Sequence, residues 1–371
     1  MINYRSNILA NQLVLWGPPT IPHEPGEPTT GKEIREWVRK CADIGVTKMI
    51  SAGMKSITVE AAHGEGLQAI PYINYTAFPN YGSRGKSQGW STAYLRVPAD
   101  SPEARKILDE HRPIWGASSA GEEVLDSFAK EHPEFWSLTR DKRMSLEPGE
   151  KRCLSLAFPE VRDSQVKRFV DALQTTKGDG VQVEFVIGNE DINNVSTYGY
   201  EDAVVQPFIE QFGKSPFDIP NNDNDWMQFR ADYVTRLMSE VKNAVIKVDP
   251  KAQFSATIIA GGPGDYIKVL QDWPAWIENG IIDELYIWWR TSSQIKLVEE
   301  QSKHVADIVN GKIPFIAEFS CYHPGSFQTS QHLIDGAKAA KANGADAVGL
   351  YRSHAVEQLN LWDALEKMGK L

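Results

Sequence analysis

Two segments of this chain carry carboxylic acids into apolar runs. The first reads Gly178-Asp-Gly-Val-Gln-Val-Glu184-Phe-Val-Ile-Gly-Asn189-Glu190-Asp191. With the period-two alternation of a β-strand, Val183, Phe185 and Ile187 share one face, and Glu184, Val186, Gly188 and Glu190 share the other. The second, Ile313-Pro-Phe-Ile-Ala-Glu318-Phe-Ser320, sets Glu318 near the end of another apolar stretch. A carboxylate sent into an interior is costly unless it is paired or has work to do there. One strand-end glutamate alone can simply accept hydrogen bonds from an arginine or a loop amide. Two on different strands, at the same end of one sheet, suit a reaction that needs a proton donor and a second carboxylate acting as nucleophile or base. Cleavage of a glycosidic bond is such a reaction.

The elements that must bring these acids together recur along the whole chain. Short runs rich in Val, Ile and aromatics predict strands over Asn11–Trp16, Thr47–Ser51, Gln68–Asn74, Gln182–Ile187, Gln253–Ile259, Glu284–Trp289, Phe315–Phe319 and Ala347–Tyr351. Helical stretches follow, among them Gly31–Ile44, Ser164–Thr175, Trp226–Val248, Ser292–Val309 and Gln331–Asn343. Eight strand-helix repeats predict an α/β fold of the (β/α)8 TIM barrel type, a single catalytic domain over residues 1–371. The competing architecture, a doubly wound sheet, normally opens with a glycine-rich phosphate turn, which Trp16-Gly17-Pro18-Pro19 lacks. Gly261-Gly262-Pro263-Gly264 reads as a plain loop. The connections after strands 3 and 4, Ala77–Asp163 and Glu190–Asp225, are too long for turns and are expected to wall the pocket, the first with a short helix over Gly121–Lys130.

The other strand ends supply aromatic and polar groups. Trp16 closes the first strand, Asn74 and Tyr75 the third, Tyr286, Trp288 and Arg290 the sixth, and Tyr351 and Arg352 the eighth, while His323 follows the seventh. Flat rings stack on the C–H faces of sugars, and Trp288 and Trp289 must point opposite ways, so one of that pair is packing. Arg290, Arg352 and His323 suit a carboxylate or sulfate on an acidic sugar, or else pair with the glutamates. His63 falls late in a helix, where capping fits better than catalysis, and Asp283 precedes a strand at the opposite end of the barrel, which suits stability.

Composition narrows the partners. A net charge of -10 disfavours nucleic acid and anionic membrane surfaces. No apolar run reaches the ~20 residues of a membrane span. The three cysteines, Cys41, Cys153 and Cys321, are widely spaced and read as free thiols. Met1–Trp16 shows no export signal, which fits a cytoplasmic protein or a trimmed exported one. No cofactor or metal site is signalled, and carbohydrate is the expected partner. A metal-dependent sugar isomerase or epimerase using Glu184, Glu318 and His323 is one alternative, although the usual His-x-x-Glu and His-x-Asp spacings are missing. A carbohydrate-binding barrel without catalysis is the other.

Asn189-Glu190 and Glu318 resemble the acid positions of the retaining clan that contains cellulases and β-galactosidases. That resemblance implies acid/base work for Glu190, nucleophilic attack for Glu318 and a 2-hydroxyl contact for Asn189. A broader resemblance, to the glycoside-hydrolase-like family 10 barrels, covers about 300 residues. It rests on His132-Pro-Glu-Phe-Trp136, Leu154–Asp163, Gly178–Phe185, Phe212–Pro216, Trp226–Arg230, Asp272–Asp283 and Lys338–Gly349, in that order. That family usually carries Asp on strand four with Arg three residues later, whereas here the positions are Glu184 and Ile187. If the family's acid is catalytic, Glu184 inherits its role and Glu190 becomes a substrate or supporting residue. Because the two share a face, the sequence leaves the choice open.

Overall fold

The computed structural model describes residues 12–17, 30–74, 128, 131–135, 137–142, 154–184, 198–259, 264–289, 294–321 and 326–371. The apolar runs become eight parallel strands: β1 (Leu13–Trp16), β2 (Val46–Ala52), β3 (Gln68–Asn74), β4 (Gly180–Glu184), β5 (Gln253–Ile259), β6 (Glu284–Trp289), β7 (Phe315–Ser320) and β8 (Ala347–Tyr351). They pair in sequence order, and β8 returns to β1, so the sheet closes into a (β/α)8 barrel.

Closure turns alternation into two environments. Leu13, Met49, Val183, Phe254, Ile287, Phe319 and Leu350 face outward into the main core beneath the helices. Val14, Ile50, Ile70, Tyr286, Trp288, Ile316, Ala347 and Tyr351 form a second cluster inside the barrel. Side-chain size falls across the paired positions Tyr286, Ile316 and Ala347, and again across Trp288, Glu318 and Gly349. Bulk on β6 is thus offset by small residues on β8. A Cβ on Gly349 would meet Val14 at 3.3 Å, and one on Gly180 would lie 2.2 Å from the Gln253 backbone oxygen, so both strands approach their neighbours through glycine.

The helical layer follows from local signals. α1 (Gly31–Asp43) starts with a reciprocal Thr30/Glu33 capping box. α2 (Ser56–Gly64) links β2 and β3, and α3 (Pro159–Thr176) precedes β4. α3 begins five residues before the Ser164 start expected from periodicity, because Pro159 fits the first helical turn, where no N–H is needed. The connection after β4 holds α4 (Asp202–Phe212) as well as α5 (Asn224–Val248). Their Tyr200, Val204, Phe208, Trp226 and Phe229 form a satellite core, so this stretch is not a bare loop. Two short helices lie before β6, Ile295–Val309 and Ser330–Ala342 flank β7, and two more follow β8. The expected helix over Gly121–Lys130 lies outside the described residues except Phe128, which is helical. Cys41 and Cys321 are free and buried, and Cys153 is outside the described residues. No described helix is long and apolar enough to cross a membrane.

At the N-terminal end of the strands, three aspartates clip the barrel. Asp179, Asp283 and Asp346 each precede an even-numbered strand. Their N–H groups donate to the carbonyls of Ala69, Phe254 and Phe315 at 2.9, 2.8 and 2.8 Å. Their carboxylates accept the N–H of the same three residues at 2.7, 2.8 and 2.8 Å. His63 sits 3.0 Å from Asp179, and Lys242 donates to Asp283 at 2.5 Å, so both groups serve this end of the barrel. Replacing Asp346 by Ala strands the N–H of Phe315, and the expected loss is about 1–3 kcal/mol. Urea unfolding should show a lower midpoint with an unchanged slope, and Asp346→Asn, which keeps an acceptor oxygen, should lose less. An Asp346→Ala midpoint equal to that of the unaltered chain refutes the clip.

Candidate functional site

Parity within the closed barrel decides which acids meet. β4 is described from Gly180 to Glu184, and Phe185–Ile187 of its expected run lie outside the described residues. Its Val183 joins the outer core, which turns Glu184 inward, and Glu184 pairs in register with Asn74 on β3 and Thr257 on β5. On β7, Ala317 and Phe319 face the helices, so Glu318 also points inward, between Trp288 on β6 and Gly349 on β8. Glu184 is 5% and Glu318 1% exposed. Both lie toward the C-terminal ends of their strands, the end where barrels of this class carry out chemistry.

Glu318 is held in an unusual state. Neither of its carboxyl oxygens has a hydrogen-bond partner among the described residues. Burial pushes its carboxyl well above the usual carboxylate range, and the facing Glu184 raises it further. The protonated form is thereby favoured, since no described residue donates to a negative charge placed there. Aromatic rings lie alongside. The Trp288 and Tyr351 centroids are 4.8 Å apart at 57°, and both residues belong to the interior cluster with Tyr72 packed against it. Gln182, one inward position below Glu184, donates its amide N–H to Thr257 Oγ1 at 2.6 Å.

A buried ion pair forms the floor. Lys48 Nζ contacts the two Glu284 oxygens at 2.7 and 2.6 Å, and Tyr286 donates its hydroxyl to Glu284 Oε2 at 2.9 Å. Tyr286, expected to bind substrate, has a fully enclosed side chain whose hydroxyl donates to Glu284, in the layer below the glutamates. Lys48, Glu284, Gln182 and Thr257 were not singled out from the sequence. A lysine at an inward position beside the outward-facing Met49 was the available signal, because such a charge needs a partner across the barrel.

The remaining expected site residues divide in two. Trp288 and Tyr351 line the interior, and Arg352 follows β8 over Gly17, whose carbonyl accepts the Ser353 hydroxyl. Trp16 ends β1 and Asn74 ends β3. Glu190, Asn189, Tyr75, Arg290 and His323 lie outside the described residues. Among the described residues no three His, Cys, Asp or Glu side chains converge as a metal site would require.

The comparisons with known proteins agree with this architecture. The model of the family Glycosyl hydrolase-like 10 matches residues 114–314. No curated protein matches the sequence. Among solved structures, the PgaB (BpsB) glycoside hydrolase domain of Bordetella bronchiseptica superposes with a TM-score of 0.58 at 10% identity, over 96% of this chain and 98% of that one. The catalytic domain of a β-amylase from Paenibacillus polymyxa gives 0.56 at 10% identity, over 96% and 99%. A β-galactosidase from the haloarchaeon Halorubrum lacusprofundi gives 0.58 at 13% identity, over 97% of this chain and 57% of that one. At such identities the likeness is one of fold. The family match spans more than half of the chain and includes β4, β5 and β6, so this protein belongs to the Glycosyl hydrolase-like 10 family.

Proposed function

We propose that this protein is a glycoside hydrolase that cleaves O-glycosidic bonds of an oligo- or polysaccharide with a pair of carboxyl groups, Glu318 and Glu184, and retains anomeric configuration. The observation that carries the reading is Glu318, a buried carboxyl with no hydrogen-bond partner among the described residues that faces a second glutamate across the barrel interior. A neutral carboxylic acid beside another carboxyl group is the arrangement glycosidases use to protonate a leaving oxygen while the second group attacks the sugar. The family membership and the glycosidase folds of the structural relatives support the same substrate class.

In this reading Glu318 donates its proton to the glycosidic oxygen as the bond breaks, and Glu184 attacks the anomeric carbon to form a glycosyl ester. Glu318, now ionised, takes a proton from water as that water opens the ester, and both groups return to their starting states. The roles differ from those implied by the clan resemblance, which makes Glu318 the nucleophile. Burial and the neighbouring acid favour the proton on Glu318 in the free protein. Trp288 and Tyr351 supply aromatic surface for the sugar, and Arg352, the residue after β8, suits an acidic substituent. Glu190, outside the described residues, is the competing second carboxyl.

A glycan panel that includes sulfated and uronic-acid polymers tests the activity, with proton NMR reading the anomer first released. Cleavage with retention is expected, and Glu318→Gln and Glu184→Gln should each lower kcat by about 10²–10⁴-fold. If Glu190→Gln abolishes turnover while Glu184→Gln does not, the second role passes to Glu190. Absence of cleavage across the panel ends the hydrolase reading, and inversion ends the retaining mechanism.

The charge state of Glu318 makes a separate prediction about stability. A carboxyl whose folded-state pKa is raised contributes stability that is complete below its unfolded value of about 4.3 and is lost as pH rises through the folded value. Glu318→Gln removes that loss. Its unfolding free energy should match the parent's near pH 4 and exceed it increasingly toward pH 8, by roughly 1.4 kcal/mol for each unit of elevation. A constant difference across that range contradicts a protonated Glu318.

A further inference from the structure

The sequence contains three Asn-Gly steps, Asn279-Gly280, Asn310-Gly311 and Asn343-Gly344. Each follows a helix and precedes a strand, β6, β7 or β8, at the N-terminal end of the barrel. An asparagine before glycine can lose its side-chain amide without a catalyst, because glycine has no Cβ to shield the backbone nitrogen that must attack the asparagine side chain. That nitrogen has to shed its proton and approach the side-chain carbonyl carbon, so a hydrogen bond held by either group keeps the two apart. At two of the steps both groups are held. Gly280 donates its N–H to Ile277 O at 3.1 Å, and the Asn279 side-chain amide donates to Ala275 O at 2.8 Å. Gly344 donates to Lys341 O at 3.3 Å, and the Asn343 side-chain amide to Ala339 O at 2.8 Å. At the third step neither the Gly311 N–H nor the Asn310 side chain has a hydrogen-bond partner among the described residues. Asn310 and Gly311 are both exposed and both left-handed, with φ of 46° and 67°, and the Lys312 N–H bond to Val309 O, 3.0 Å, spans them.

We propose that Asn310 is a site of spontaneous modification, the one of the three Asn-Gly steps that the folded chain leaves able to convert to aspartate and isoaspartate. The Gly311 nitrogen gives its proton to a solvent base and bonds to Cγ of Asn310. The Cγ–Nδ2 bond breaks, and Nδ2 takes a proton and leaves as ammonia. Water then opens the five-membered imide at either carbonyl. Opening at Cγ gives aspartate, and opening at the backbone carbonyl gives isoaspartate, whose chain runs through the side chain. The sum is amide plus water to acid plus ammonia, with no change of oxidation state, and each event adds one negative charge. That charge falls at the C-terminus of the helix Ile295–Val309, where the helix dipole opposes it. Isoaspartate also lengthens by one methylene the turn that leads into β7. The Asp346 clip at Phe315 separates this turn from Glu318, so the inference does not depend on the hydrolase reading.

The test incubates the full folded chain in mildly alkaline buffer and follows the three steps by mass spectrometry of proteolytic peptides, with fragmentation that separates aspartate from isoaspartate. Asn310 should convert about tenfold or more faster than Asn279 or Asn343, because two hydrogen bonds must open before either of those can react. Both aspartate and isoaspartate should appear at position 310. A parallel incubation in urea removes the turns, and there the three steps should convert at similar rates. Asn310→Gly places at this position the residue most at ease with positive φ, and it should abolish the more acidic species that builds up on ion exchange of the folded chain. The proposal is overturned if Asn310 stays intact in the folded chain or is matched there by Asn279 or Asn343. It is equally overturned if the same ranking persists in urea, if position 310 yields aspartate alone, the mark of direct hydrolysis, or if the acidic species persists in Asn310→Gly.

Discussion

Everything distinctive about this barrel depends on keeping one carboxyl group out of water. An ionised glutamate placed where Glu318 lies loses its hydration, finds no donor in exchange and faces another acid. The neutral form avoids that cost, so burial and the second acid together push the Glu318 carboxyl well above the usual carboxylate range. The cost does not vanish, because the protein forgoes the more favourable ionisation that an exposed glutamate would have above its ordinary pKa. The surrounding framework offsets this elsewhere: aspartate clips lock alternate strands at the far end, and an apolar layer under the helices surrounds the sheet on the outside. Separation of the two ends lets stability and reactivity be set by different residues.

The fold was legible in the sequence because a closed parallel barrel repeats one signal eight times. Gln68–Asn74, Gln253–Ile259, Glu284–Trp289 and Ala347–Tyr351 have the boundaries their apolar runs predict. Where boundaries moved, a local rule outweighed the run. Pro159 started α3 early, at a position where a missing N–H costs nothing. Hydrophobic pattern reports which residues leave water, not where a helix begins. α4 escaped notice for a related reason, since Pro207 interrupts the helical pattern and its apolar face packs on a satellite core rather than on the barrel.

The site was legible only in outline. Alternation was enough to send Glu184 and Glu318 to the same side of the sheet, because parity is a property of neighbours along one strand. It could not find the Lys48–Glu284 pair, which joins β2 to β6 across the barrel, a relation fixed by closure and stagger rather than by spacing. Nor could it reveal that Tyr286, at an apparently suitable strand position, donates to Glu284 in the layer below the paired acids. Depth along a strand is two residues per layer, so Tyr286 and Trp288 have the same parity and different surroundings.

Depth also bears on how the acids divide their roles. Resemblance to the larger retaining clan makes the strand-seven acid the nucleophile, a role that calls for a carboxylate. In this chain that acid lies flanked by Trp288 and the bare backbone of Gly349, with no arginine, amide or hydroxyl donating to it among the described residues. A nucleophile in such a place would have to be ionised against burial and against Glu184 at once. A proton donor has the opposite need, and the same two influences serve it. Charge state is set by surroundings rather than by strand number, so under the proposed mechanism the acid on strand seven takes the proton-donor role without changing its position.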